Sequence, residues 1–520
     1  MGNPYVFVPE ILLIATALGS ALLGFVWARK PVALWLFALV GVVVAMFITF
    51  DMMGLGFTRA LNLPLWPSPV GDAGDFSQEL RIDVDEFALF FHTVFLLVAL
   101  LAILASLAFL RGDEPHKGEY YCLMILAVVG MMFAAAATDL FVLFLAFEVA
   151  SLSTFALTAY RKKDRQGTEA AVKFFIIGAV STALVLFGIS LVYGIGGTTD
   201  LYALKAGLSP LGLAAFEPAL LVALVFLIAG FGFKVAVVPF HMWAPDVYQG
   251  SPTTISAFLS AGSKMVGVVA LLKVFLIGLL GVAIDWVVTL AILSIVTQTV
   301  GNVLAIPQRS VKRMLAYSSI SQAGYILIAL PVGALALVST SPDDTAARVA
   351  VAGLVGGLFQ VLTYAATKAG TFLVVGGLQA RGVSDEMDSY RGLGRRTPYL
   401  AFSMTILLLS LAGIPPLGGF FSKFFLFSSA VYAAEFNPWY LTLAISGVLN
   451  SALSLYYYAR VIWYIYILEP LAEEAAIRTP RSIGTSVLLP LVLMLVIVLP
   501  FVFAGLFTIL LGAAESFFQF

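Results

Sequence analysis

Five ionisable side chains stand in stretches otherwise too apolar to hold them. Glu148 lies in DLFVLFLAFEVASLS, Lys234 in IAGFGFKVAVVPFHMWAPDVYQG, Lys264 in SPTTISAFLSAGSKMVG, Lys368 in VLTYAATKAGTF and Lys423 in SLAGIPPLGGFFSKFFLF. A charge at the centre of a bilayer costs about 2.5–3.5 kcal/mol, and such residues are rare and lie on ion paths. Left without a role, Glu148, Lys234, Lys264 and Lys423 would together cost on the order of 10 kcal/mol. Burial penalises a carboxylate, whereas a cationic neighbour stabilises it. A group pulled both ways can take up and release protons near neutrality, which is the requirement of a relay. No Lys or Arg lies within a helical turn of Glu148, so a partner must come from another helix.

Two of the lysines sit beside helix breakers. Pro239 follows Lys234 in one long apolar run, and Pro415 and Pro416 precede Lys423 in another. Proline removes a backbone hydrogen bond and breaks the preceding turn. In a membrane the freed carbonyls are tolerated where they line a cavity. His241, just after the first break, can pass a proton through its imidazole or can satisfy the broken backbone. Lys264 follows the small residues Ser260, Ala261, Gly262 and Ser263, which permit close helix approach. Lys368 lies between the two broken runs. Paired interrupted spans are the sequence pointer to an inverted-repeat transporter. A structural reading stands beside the chemical one, because a single intramembrane lysine can snorkel or brace a carboxylate. It is the natural reading for Lys173, which can pair with Glu169 at i, i+4, and for Lys273 near a span end.

The elements that must position these residues follow from composition. Of 520 residues, 61% are hydrophobic and 11% charged, far from a soluble domain. A spanning helix takes about 20 apolar residues, and the continuous apolar runs exclude a β-barrel. The runs predict about 14 transmembrane helices at 6–27, 31–53, 87–110, 119–137, 139–160, 168–195, 216–248, 252–277, 282–306, 310–337, 346–380, 398–430, 438–465 and 484–514. The start of the chain lacks a positive n-region, so 6–27 is expected to be a span and not a cleaved signal.

Odd-numbered loops carry the cations, among them Arg29, Lys30, Arg111, Lys117, Arg161–Lys163, Arg309, Lys312 and Arg395–Arg396. Even loops hold only Arg59, Arg81, Lys205 and Arg348. Odd loops therefore face the cytoplasm and both termini face outward. The loop 54–86, with Pro64, Pro67, Pro69, Asp72 and Asp75, is expected to form an external cap.

Other chemistry is absent from the pattern. The single cysteine, Cys122, sits in an apolar run and excludes an intrachain disulfide or an iron–sulfur cluster of this chain's own. No Cys/His metal spacing, nucleophile–base pair or nucleotide fingerprint occurs. Gly194–Gly197 ends a span, and Gly353 and Gly357 read as helix packing.

At these motifs the chain resembles the proton-translocating antiporter-like subunits of respiratory complex I, most closely the N type. The matching stretches are DLFVLFLAFEVASLSTFALTAYRKKDRQGTEAAVKFFIIGA, FKVAVVPFHMWAPDVYQGSPTTISAFLSAGSKMVG, QRSVKRMLAYSSISQAGYILI and GIPPLGGFFSKFFLF, with PEILL near the start. The resemblance implies an all-α polytopic core of two inverted five-helix repeats, each with a broken helix. It places an N-terminal three-helix segment at 1–118, the repeats at 119–280 and 281–465, and a cytoplasmic loop and C-terminal helix at 466–520. It implies that Glu148 and Lys234 form the ion pair of one half-channel, that Lys264 and Lys368 belong to a central relay, and that Lys423 serves the second half-channel. Lysine at 423, where glutamate would suggest the M type, fits N or L, and with the last run at 484–514 no lateral arm of the L type is expected.

The expected partners are other antiporter-like and small membrane subunits in the inner membrane of a prokaryote, and lipid. Nucleic acid is not expected. Flavin, iron–sulfur clusters and quinone or another acceptor are expected only in partner subunits, with NADH, ferredoxin or F420H2 as donor. The alternative is a component of a multi-subunit Na⁺/H⁺ antiporter without redox partners.

Overall fold

In the computed structural model, the structure describes residues 4–27, 30–54, 81–110, 116–208, 217–335, 344–470, 483–498 and 503–517. The expected external cap with Pro64, Pro67, Pro69, Asp72 and Asp75 lies outside these residues, as does most of the loop 466–483. Among the described residues the chain is helical, and its β pairing is limited to the isolated bridges Ile82–Ala137, Asp139–Asp200 and Ser310–Glu386. Helices dominate because each satisfies its own backbone, as a hydrocarbon solvent requires.

The helices run in chain order as α1 (Val8–Val26), α2 (Pro31–Met52), α3 (Glu86–Phe109), α4 (Lys117–Ala136), α5 (Leu140–Thr158), α6 (Arg165–Gly196), α7 (Glu217–Val235) and α8 (Trp243–Gly250). They continue as α9 (Thr253–Gly278), α10 (Ala283–Ala305), α11 (Val311–Gly333), α12 (Asp344–Gln379), α13 (Pro398–Ala412), α14 (Gly418–Ala433), α15 (Leu441–Tyr466), α16 (Ile483–Val498) and α17 (Phe503–Glu515). Among the described residues, eleven helices are long and apolar enough to cross a membrane.

Three expected spans are divided. The 216–248 run is α7 and α8 with an unwound stretch between them, and 398–430 is α13 and α14 separated around Gly413. The 484–514 run, expected as one helix, is α16 and α17. Span α9 is continuous but holds two π-helical turns, Leu259–Ser263 and Val274–Gly278, placed directly before Lys264 and directly after Lys273. Such wider turns are common at functional sites.

Burial sorts the helices into layers. The most apolar window of α9 is 100% buried, and those of α3, α11 and α12 are 89%, 94% and 89% buried, against 33% for α1 and α6. The lysine-bearing helices α9 and α12 are thus central, and α1 and α6 are peripheral. Helix α12 has 36 residues, about 54 Å at 1.5 Å per residue. It packs on α9, which precedes it, and on α13, α14 and α16, which follow it.

Caps fix the helix starts. Asp139 accepts the Phe141 and Val142 amides at 2.8 and 3.2 Å, Asp85 the Ala88 amide at 2.7 Å, and Ser310 the Arg313 amide at 3.2 Å. Gly130 lets α4 and α5 meet closely. A Cβ there would stand 2.7 Å from the Ala150 nitrogen and 2.8 Å from the Ala146 oxygen. Gly353 and Gly357 face Val332 and Ala329 across a helix contact, as packing residues.

Candidate functional site: a buried lysine axis

Lys234 occupies the last turn of α7 and is 1% exposed. Beyond it the backbone unwinds, and Ala236 takes φ +61°, a conformation unfavourable for any residue with a Cβ. The freed groups find protein partners. The Phe233 carbonyl accepts the Trp243 indole at 2.8 Å, and the Val238 amide donates to Thr297 Oγ1 at 3.1 Å. The expected cavity lined by freed carbonyls is therefore filled here by an indole and a hydroxyl. A 320 Å³ pocket beside the break is walled largely by apolar residues, Phe233, Phe240 and Trp243 among them.

Lys234 Nζ donates to Ser151 Oγ on α5 at 3.0 Å and lies 5.5, 5.6 and 5.8 Å from the ring centres of Phe147, Phe155 and Phe174. These faces supply cation–π attraction to a desolvated ammonium. Glu148, one helical turn before Ser151, is within electrostatic reach of Lys234. The direct ion pair implied by the resemblance is not formed. Glu148 Oε1 instead accepts from Thr182 Oγ1 on α6 at 2.8 Å. Glu148 is half-buried at the perimeter, flanked by Leu145, Val149 and Leu152 at 50%, 38% and 56% exposure. Both side chains thus sit on hydroxyls, close enough to feel one another without touching.

Lys264 and Lys368 meet at α11. Lys264 Nζ donates to the Ser319 carbonyl at 2.9 Å, and Lys368 Nζ donates to the Ser318 hydroxyl at 2.9 Å. Both lysines are fully buried, and Lys368 lies within electrostatic reach of Lys264. Tyr364, one turn before Lys368, donates to the Ser260 carbonyl at 2.9 Å and so pins α12 to the π turn ahead of Lys264. His241 stands in the unwound stretch within electrostatic reach of Lys264, with Nδ1 buried and unpartnered.

At the second break, Gly413 at φ +86° ends α13. Lys423 Nζ donates to the Leu411 and Ala412 carbonyls at 2.9 and 3.4 Å and to Ser451 Oγ at 2.9 Å, and lies 4.7 Å from the ring centre of Tyr325. An ammonium on the last carbonyls of a helix is favoured by the helix dipole. A groove of about 580 Å³, lined by Lys423, Phe424, Val448 and Ser451 among others, opens beside it.

The remaining cations differ from expectation in instructive ways. Lys173 pairs with Glu169 at 2.9 Å, as its spacing suggests, and also with Asp246 on α8 at 2.9 Å. Lys273 does not reach an interface. It is 2% exposed, donates to the Ala137 carbonyl at 2.9 Å, lies 5.6 Å from the ring centre of Phe87 and is within electrostatic reach of Asp83 and Asp85. Lys312, grouped with the loop cations by sequence, is 4% exposed in the first turn of α11 and holds the Gln249 and Ser251 carbonyls at 2.8 Å each. Cys122 is a half-buried free thiol.

Sequence reasoning missed the groups that hold the lysines: Ser151, Ser318, Ser319, Ser451, Tyr325 and the three phenylalanines around Lys234. For Ser151 a signal existed, since it shares a helical face with Glu148 at i, i+3. The others carry none, because serine and tyrosine in apolar helices are ordinary.

The chain is 42% identical over 494 residues, 92% of each sequence, to "F(420)H(2) dehydrogenase subunit N" of Methanosarcina mazei. It is 39% identical over 476 residues to "NADH-quinone oxidoreductase subunit N" of Trichlorobacter lovleyi, covering 91% of this chain and 89% of the relative. Its fold matches a chain of respiratory complex I from Thermus thermophilus with TM-score 0.73 at 27% identity, covering 96% of this chain and 99% of the other. The profile of one family matches residues 137–454, the stretch that contains all five buried ionisable residues of the axis. The chain belongs to that family, the transmembrane subunits of NADH:quinone oxidoreductase and Mrp antiporters.

Proposed function

We propose that this chain is the N-type proton-translocating subunit in the membrane arm of a complex I-like respiratory dehydrogenase. The observation that carries this reading is the line of four buried lysines, Lys234, Lys264, Lys368 and Lys423, each 4% exposed or less and each bound to a hydroxyl or carbonyl. Among the described residues no carboxylate is paired directly with any of them, so their charge is held by weak, switchable partners. Full-length identity to N-type subunits of both an F420H2 and an NADH-quinone enzyme supports the redox-linked reading over an antiporter that works alone.

The electrostatics set the sequence of events. Lys234 carries its charge in an aromatic cage with Glu148 nearby. When a neighbouring subunit changes the field at the half-buried Glu148, support for the ammonium weakens and Lys234 releases its proton. His241 and Lys264 are the groups positioned to receive it across the α7–α9 contact. Lys264 and Lys368 repel each other when both are charged, so a proton arriving at one drives a proton from the other toward Lys423. Moving a charge across the membrane takes about 2.3 kcal/mol per 100 mV. That energy comes from redox chemistry in partner subunits, which hold the flavin, iron–sulfur clusters and quinone site. Both termini face outward and the assembly lies in the inner membrane of a prokaryote. The three-helix segment 1–118 precedes two antiporter-like repeats, 119–280 and 281–465.

The test neutralises Lys264 and Lys368 separately, as Lys264→Met and Lys368→Met, in the assembled complex. Protons moved per electron should collapse in both. An inert membrane scaffold would leave the ratio at the wild-type value.

A further inference from the structure

Between Lys368 and Lys423 the helices α11, α13, α14 and α15 bring a set of uncharged polar groups into one run. The Ser318 hydroxyl, which accepts from Lys368 at 2.9 Å, is also hydrogen-bonded to the Tyr458 hydroxyl on α15. Gln322 lies within electrostatic reach of Tyr458. Gln322 stands one turn after Ser318 on α11, so both present to Tyr458. Its Nε2 donates to the Leu411 carbonyl at 3.0 Å, and that same carbonyl accepts Lys423 Nζ at 2.9 Å. Its Oε1 accepts from Gln360 Nε2 at 2.8 Å, and Gln360 Oε1 accepts from Ser422, the neighbour of Lys423, at 2.6 Å. Ser318, Gln322 and Tyr458 are all fully buried. Three tyrosines occur in a row on α15, yet Tyr456 is 60% exposed and Tyr457 turns to Asn302 Oδ1 at 2.8 Å. Only Tyr458 bonds the serine that holds Lys368.

We propose that the hydroxyls of Ser318 and Tyr458 pass the proton from Lys368 toward Lys423, with Gln322 as the positioning residue that ties Tyr458 to the carbonyl binding Lys423. This rests on the lysine-relay reading and specifies its second half. In the transfer, the Lys368 ammonium gives a proton to Ser318 Oγ while the Ser318 proton moves to Tyr458 Oη. The Tyr458 proton passes to water beside Gln322 and ends on the neutral amine of Lys423. Each hydroxyl regains a proton, one N–H bond breaks at Lys368 and one forms at Lys423, and nothing is oxidised or reduced. Rotation of the two hydroxyls resets the chain. An amide cannot serve as the carrier without leaving its neutral form, so Gln322 acts by holding positions.

The experiment uses inverted membrane vesicles containing the assembled complex. It compares proton uptake, read with a pH-sensitive dye, against electron transfer from NADH or F420H2, whichever the wild-type membranes oxidise. Tyr458→Phe keeps the ring and removes the hydroxyl, and should lower protons per electron by the share this chain contributes, as far as Lys368→Met lowers it. Tyr456→Phe should leave the ratio at wild type. Ser318→Ala should behave like Tyr458→Phe, and Ser318→Thr, which keeps a hydroxyl, should restore pumping, a rescue that a merely structural contact would not show. Wild-type pumping in Tyr458→Phe, or equal pumping in Ser318→Ala and Ser318→Thr, overturns the inference. Lys368→Met and Lys423→Met run alongside. If they stop pumping while Tyr458→Phe does not, the relay stands without Tyr458, and if they too pump normally the relay itself is wrong. Should Tyr458→Phe fail to assemble, the Ser318 pair decides alone.

Discussion

Lys264 on α9 and Lys368 on α12 bind consecutive residues of one helix, the Ser319 carbonyl and the Ser318 hydroxyl, each at 2.9 Å. A single strand of α11 therefore senses both charges. The arrangement makes the middle of the axis a shared site, so the loss of one lysine should alter the behaviour of the other.

Glu148 and Lys234 should behave as one unit although they do not touch. Glu148→Gln removes the charge that supports Lys234, and Lys234→Met removes what is supported. The two effects on pumping should fall short of additive, with a coupling of about 0.5–3 kcal/mol. Proton flux in the two single variants and the double variant, at equal complex content, checks this. Strict additivity would separate the residues functionally. Thr182→Val, which takes away the 2.8 Å hydrogen bond to Glu148, should weaken pumping in the same direction while leaving electron transfer intact.

Gly130 controls how closely α4 approaches the helix that carries Glu148 and Ser151. Gly130→Leu would force side-chain atoms into the backbone of Ala146 and Ala150. Overpacking of this kind costs about 1–3 kcal/mol. The expected result is a reduced amount of assembled complex, read by copurification in mild detergent, and a lower unfolding temperature. Gly194, where a Cβ meets nothing within 4 Å, should accept alanine without loss.

At the start of α3, burial raises the Asp85 carboxyl above the usual range, opposed by Lys273, the Ala88 amide and Ser516. Burial raises Asp83 too, helped by the Asp85 charge and opposed by Lys273. The folded chain therefore binds protons here more tightly than the unfolded one. Stability from this junction is full below the unfolded aspartate value near 3.9 and is lost as pH rises through the folded values. Thermal unfolding of the purified complex across that range should show the slope, and Asp85→Asn, which keeps the cap, should flatten it. An unchanged slope in Asp85→Asn would remove Asp85 as its source.

What could be read from sequence was set by contrast. Lys234, Lys264, Lys368, Lys423 and Glu148 stand out because charge in an apolar run is costly, and Pro239, Pro415 and Pro416 because proline interrupts a helix wherever it falls. Which residues hold the lysines was not legible. Ser318 and Tyr458 become a pair only when α11 and α15 pack, across 140 residues of chain. Lys273 shows the same gap in reverse. Its place near a span end suggested an exposed ammonium, but it is 2% exposed, against the Ala137 carbonyl and the Phe87 ring. Lys312 was grouped with loop cations and instead caps the carbonyls at the end of α8. The proline breaks were evident, but not their repair by Trp243 and Thr297, which depends on tertiary contact.

The most direct measurement is the ratio of protons moved to electrons transferred in vesicles whose complex carries Lys234→Met. Relay through Lys234 requires the ratio to fall by the share this chain contributes, with the complex still assembled and still able to pass electrons at a measurable rate. An unaltered ratio and rate in that variant would contradict proton transfer through this residue.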